Sequence, residues 1–191
     1  MTHEWIDLVA EEARIVALSM VREKGRGAVL VGAARVDAAL EALLKAALAP
    51  PQGSETLFPT DRPLRSFGAK IALAARLSLI EPAVEQSPHN LRRVHNAFAH
   101  SPLLLSLSDP PYQERLRACV NDASSNPLWG AMQSIVEKHL HGELQPEDIA
   151  LRDYILLITI LVAFLEVAAQ QLTPLKPSVV MGFRGLIATS D

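Results

Sequence analysis

The chain has 191 residues, of which 49% are apolar, 20% charged and 5% aromatic; that is enough apolar material for one compact domain and excludes disorder along its whole length. A net charge of -3 and a pI near 6.1 exclude a protein that coats nucleic acid through bulk positive charge, although arginine outnumbers lysine 13 to 5 and leaves room for local anion sites. The single cysteine, Cys119, can make neither an internal disulfide nor a metal cluster, which fits a reducing compartment.

Taken in order, the chain reads as helices. The opening stretch MTHEWIDLVAEEAR carries Glu4, Asp7, Glu11 and Glu12 and no cationic apolar leader, so no secretory signal is expected. A first helix is predicted from about Glu4 to Lys24, with Gly25 and Gly27 marking its end or a kink. The second, about Ala28 to Leu48, has an apolar stripe at Val29, Ala33, Val36, Leu40, Leu43, Leu44 and Ala47, and Pro50 and Pro51 stop it. A loop follows whose Leu57 and Phe58 are expected to tuck back into the core. Ser66 is a plausible cap for a third helix over about Ser66 to Ile80. A fourth starts near Pro82 or Pro88 and runs through His100.

Beyond Ser101 the pattern weakens. One short helix is predicted at Tyr112 to Val120, and the alternation of Leu103, Leu105 and Leu107 leaves a brief extended segment conceivable. Two further helices, about Leu128 to His139 and Pro146 to Leu172, complete a single all-α bundle of about six helices over residues 1–172. The tail, 173–191, with Pro174, Pro177 and the apolar VVMGF, is expected to dock on the domain or on a second copy. The apolar run from Tyr154 to Leu165 is 12 residues against the roughly 18 a membrane span needs, so it reads as a core helix. A cytoplasmic protein without membrane contact is the expectation.

Two charges sit among apolar neighbours when the helices are projected at about 100° per residue. Asp37 lies near the edge of the second helix's stripe, and Lys70 lies within the arc of Phe67, Leu73, Ala74 and Leu77. A lone buried charge costs several kcal/mol, which predicts that Asp37 pairs with Lys70 or with an arginine of the fourth helix. The alternative is a rim position from which each side chain reaches water.

The most informative stretch is His89 to His100. Leu91, Val94 and Phe98 make one face of that helix; His89, Arg93, Asn96 and His100 line up on the opposite side. An arginine fork binds phosphate, an asparagine orients a ligand, and a histidine exchanges protons near neutral pH. Together these groups are the kit for cleaving RNA through internal attack of the 2′-hydroxyl. Polar residues opposite an apolar stripe are also what any surface helix carries. His89 and His100 are three turns apart, and His139 with His141 has no third ligand in its segment, so neither pair reads as a metal site. Trp5 and Trp129 read as core or interface anchors, and Cys119 as a small core residue.

The ordered runs RGAVLVGAARVDAALEALLKAAL, PLRSFGAKIALAARLSLIEPAV, LRRVHNAFAHS and LSDPPYQERLRAC resemble the mannitol operon repressor (MtlR-like) family from about Arg26 to Cys119, with a weaker echo in ALRDYILLITILVAFLE. The resemblance implies an all-helical fold and maps Asp37, Lys70, Asn96 and His100 onto family-typical positions. The fourth helix is also similar to HEPN-like helical domains, many of which carry an arginine, four to six residues and a histidine, and act as metal-independent ribonucleases, usually as dimers. Arg93 and His100 have that spacing, but His95 stands where related chains often have arginine directly before the asparagine, and imidazole lacks the forked geometry.

The family resemblance implies a non-enzymatic regulator of transcription. The chain has no helix-turn-helix with a basic recognition helix; Arg92 with Arg93, and Arg115 with Arg117, suit a few phosphates without a base-reading face. Action through a regulatory protein partner, as a homodimer and with no cofactor or metal, is therefore the first expectation. One alternative is an endoribonuclease of the HEPN type with RNA as substrate, His100 as general acid or base, Arg93 as phosphate clamp and Asn96 as orienting group; a third reading is a helical scaffold or small-ligand binder.

Overall fold

The computed structural model describes residues 3–50, 56–125, 129–140, 148–174, 181–182 and 185–186; side chains are described within residues 14–174 of these, apart from 83, 135, 139 and 140. The fold is all-α. Helices α1 (His3–Ala47), α2 (Phe67–Arg76), α3 (Pro82–His100), α4 (Pro110–Ser124), α5 (Trp129–Leu140) and α6 (Ile149–Gln171) are followed by a two-residue antiparallel ladder, Met181–Gly182 against Gly185–Leu186. Expectations resting on the Trp5 side chain, on His139 and His141, and on how the tail docks lie outside the described residues.

The two helices predicted before Pro50 are two arms of α1, broken where Lys24 (φ 51°, ψ 164°) and Gly25 (φ 42°, ψ -124°) leave the helical region. Gly25 carries that φ without cost; Lys24 adopts it under strain, so the junction is held from outside. Arg26 does part of this. Its guanidinium donates to the carbonyls of Ala99 (2.8 Å) and Ser101 (3.1 Å), binding the second arm of α1 to the orphan acceptors at the end of α3.

At the centre lies α6, where every residue from Tyr154 to Ala163 is buried. A helix apolar on all sides must be surrounded, and α1, α4 and α5 surround this one. The tightest contact is at Gly32. A Cβ there would stand 2.7 Å from the Tyr154 hydroxyl and 3.0 Å from the Met20 sulfur, so only glycine lets α6 approach this closely. Tyr154 donates its hydroxyl to the Val29 carbonyl at 2.9 Å, and burial pushes that hydroxyl's pKa up. Among the described residues no helix is long and apolar enough to cross a membrane.

The boundaries differ from expectation where loop chemistry decides them. α2 stops at Arg76 instead of Ile80, because Leu77 closes it and Ser78 turns the chain with φ 56°. α3 begins at Pro82, carrying Pro88 inside. α4 is longer than predicted at both ends, with Pro110 and Pro111 in its first turn, where a missing N–H costs nothing. The segment with Leu103, Leu105 and Leu107 is irregular; Leu107 is buried, Leu103 is not. Phe58 packs against the core as expected, and the Lys45 ammonium lies 5.2 Å from its ring centroid. Cys119 is buried, its sulfur 4.0 Å from the Ser87 carbonyl, and burial pushes the thiol up.

Candidate functional site

Residues 89 to 100 are helical, with Leu91, Val94 and Phe98 turned inward (Phe98 edge-on to Tyr112, 5.2 Å between centroids) and Arg93, Asn96 and His100 exposed. His89, half-buried, lies 3.4 Å from a Glu85 carboxylate oxygen. Arg93 donates to Asn90 Oδ1 at 3.5 Å, a long bond, and His95 Nδ1 lies 3.2 Å from Asn96 Oδ1. Arg93 and His100 are two helical turns apart on an open face.

Asn96 belongs to a different group. It lines a cavity of about 380 Å³ with Arg92 and His95 of the same helix, Ala33, Ala34 and Asp37 of α1, and Ser66, Phe67 and Gly68 at the start of α2. Positions 92, 95 and 96 stand in an i, i+3, i+4 relation and share one flank of α3. That flank is the border between the core face and the polar stripe, where α1 and α2 close over the helix. A projection of α3 alone assigns Asn96 to the stripe and leaves out Arg92 and His95; the packing of α2 joins them.

Asp37, which lines the cavity, belongs to an ionic cluster beside it. Lys70, only 3% exposed, reaches Asp37 at 2.9 Å and Glu41 at 2.8 Å, so it does not extend to water. Glu41, one turn beyond Asp37, also meets Lys45 at 2.6 Å. Sequence reasoning missed Glu41 because only the crossing of α2 over α1 shows that one ammonium spans both carboxylates. Burial works against the charge on Lys70, but its bonds to Glu41 and Asp37 outweigh that and hold its pKa above the ordinary value. Partial burial also works against the Glu41 charge, and its bonds to Lys45 and Lys70 hold its carboxyl below the ordinary value.

Two polar atoms of residues that line the cavity are themselves buried, away from accessible space, and have no hydrogen-bond partner in the protein: Asp37 Oδ1 and Arg92 Nε. Arg92 lies over the first turn of α2, with its guanidinium carbon 3.6 Å from the point where a Cβ on Gly68 would stand. Ser66 caps α2 by accepting from the Ala69 N–H at 3.1 Å. The N–H groups of Phe67 and Gly68, the first two residues of α2, have no carbonyl a turn behind them. Among the described residues no cluster of three histidine, cysteine or carboxylate side chains suits a metal ion.

No protein-family model, curated protein or solved structure matches the chain.

Proposed function

We propose that the chain is a non-enzymatic regulatory protein of the kind the mannitol operon repressor resemblance implies, acting on transcription through a protein partner and not by reading DNA. The observation that supports it is the bare pair Leu103 and Leu104, 69% and 103% exposed, directly beyond α3. Scattered surface leucines are ordinary, but two adjacent ones just beyond a helix end offer the apolar centre of a protein contact. The acidic net charge and the lack of a basic recognition helix in the sequence point the same way. The cytoplasm is its proposed place of action, and a homodimer its proposed form.

The test is a gene deletion complemented with wild type or with the Leu103→Asp, Leu104→Asp double variant. Wild type restores the transcript profile and the folded double variant does not. An unchanged profile on deletion overturns the reading. Light scattering on the same variant separates loss of a second copy from loss of another partner.

A second reading is a ribonuclease using Arg93, Asn96 and His100, favoured by the exposure of all three, with Arg93 and His100 on one open face of α3. It requires cleavage of mixed RNA in EDTA by wild type and none by His100→Ala.

A further inference from the structure

We infer that Arg26 is the positioning residue of the Leu103–Leu104 surface: its guanidinium ties the end of α3 to the break in α1 and so holds the two leucines out as a ready-made anchor for a protein that offers an apolar pocket. The inference rests on the regulatory reading above and names what shapes its contact. The chain leaves α3 at Ser101, which is extended (φ -78°, ψ 133°), the conformation a following proline favours. Pro102 cannot continue the helix, so the last carbonyls of α3 lack helical partners. Arg26, itself exposed, takes two carbonyls at this exit, Ala99 at 2.8 Å and Ser101 at 3.1 Å. One planar fork on two nearby carbonyls fixes the direction in which the chain departs. Ser101 Oγ then accepts the Leu103 N–H at 3.0 Å, which carries that direction to the leucines.

The far end of the loop is fixed separately. Leu107 is buried, and Asp109 Oδ2 accepts the Ser106 N–H at 2.8 Å. Between these anchors Pro102, Leu103 and Leu104 are exposed. The loop also lies against the break in α1, since Lys24 and Gly25 line a space of about 180 Å³ together with Leu105 to Ser108. Arg26 follows the break directly, so the strained Lys24 backbone sets where its side chain starts. Leu104 buries no surface within the fold, yet the loop that carries it is tied at both ends. A loop already ordered loses little freedom when a partner closes on it. The competing arrangement is an Arg26 that only caps α3, while Leu107 and Asp109 alone shape the loop.

Amide exchange of the purified full chain, followed by NMR, separates the two when it is combined with complementation of the gene deletion. In Arg26→Met the Leu103 amide exchanges about tenfold faster, several times the change at the amides of α6, and the variant does not restore the transcript profile. The Ser106 amide, held from the other end, changes no more than those of α6. Arg26→Lys, which keeps the charge but has one nitrogen in place of the fork, falls between in both measurements. Leu103 exchange that stays at the wild-type rate, or that rises no more than exchange in α6, overturns the inference in favour of a simple cap. A loosened loop with full restoration by Arg26→Met overturns it as well, because the leucines then need no positioning. The exchange rates require no partner and so fail independently of the regulatory reading. A transcript profile unchanged by deletion overturns that reading, and the anchor role with it, even where the exchange rates hold.

Discussion

The seam between α1 and α6 and the cleft between α1, α2 and α3 are built on the same helix, and they treat polar groups in opposite ways. In the seam, apolar side chains fill the contact, Gly32 removes the last obstacle, and the Tyr154 hydroxyl is matched to the Val29 carbonyl. Beside the cleft, Lys70 bridges Asp37 and Glu41 and Lys45 meets Glu41, yet Asp37 Oδ1 and Arg92 Nε stay buried without a partner. A seam of this kind stabilises the fold by exclusion of water. Buried polar atoms left unpaired cost stability.

The sharpest way to break the contrast uses two glycines. Gly32→Ala forces a methyl to 2.7 Å from the Tyr154 oxygen and should destabilise by about 2–3 kcal/mol in urea unfolding, outweighing alanine's helix preference. A neutral result would show that the seam yields. Gly68→Ala places its methyl at an ordinary 3.6 Å from Arg92 and is expected to be neutral, or to stabilise by about 0.5 kcal/mol.

Next in size is the ionic cluster. Lys70→Met leaves Asp37 and Glu41 facing each other, both partly exposed, and should cost about 2 kcal/mol near neutral pH. The sign of its pH dependence follows from the shifts. Glu41 titrates lower in the folded protein than unfolded, so its contribution is present above the ordinary carboxyl value of 4.5 and is lost as pH falls through its lowered folded value. Lys70 titrates higher when folded, so its contribution holds below 10.5 and is lost as pH rises past its raised value. The gap between wild type and Lys70→Met should therefore be flat between those limits and narrow below pH 4.5; a gap that widens in acid would show that the bridge is not what Lys70 supplies.

The smallest test is inside α6. Thr159 is fully buried and its hydroxyl has no partner, the one such side-chain atom among the described residues of α6. Thr159→Val keeps the shape, removes that hydroxyl and should stabilise by up to about 1 kcal/mol in thermal unfolding. Destabilisation instead would mean that the hydroxyl is satisfied in solution.

Much of this was legible in the residues one helix at a time. The stripe from Val29 to Ala47, the break at Gly25, the Ser66 cap and the inward turn of Phe98 follow from period and local chemistry, which involve only neighbours within a few positions. Asp37 and Lys70 were traceable because charges on apolar arcs demand partners. Glu41 was not, and no sequence signal joined Arg92 and His95 to Asp37, since each sits on the flank of its helix and gains its neighbours only from the helix laid across it. Sequence alone thus determined which segments wind into helices and which faces turn inward, because those depend on periodicity. The tertiary structure alone decided that Asn96 joins Arg92, His95 and Asp37 around one cavity, because the crossing of α2 over α1 and α3 brings together positions far apart in the chain.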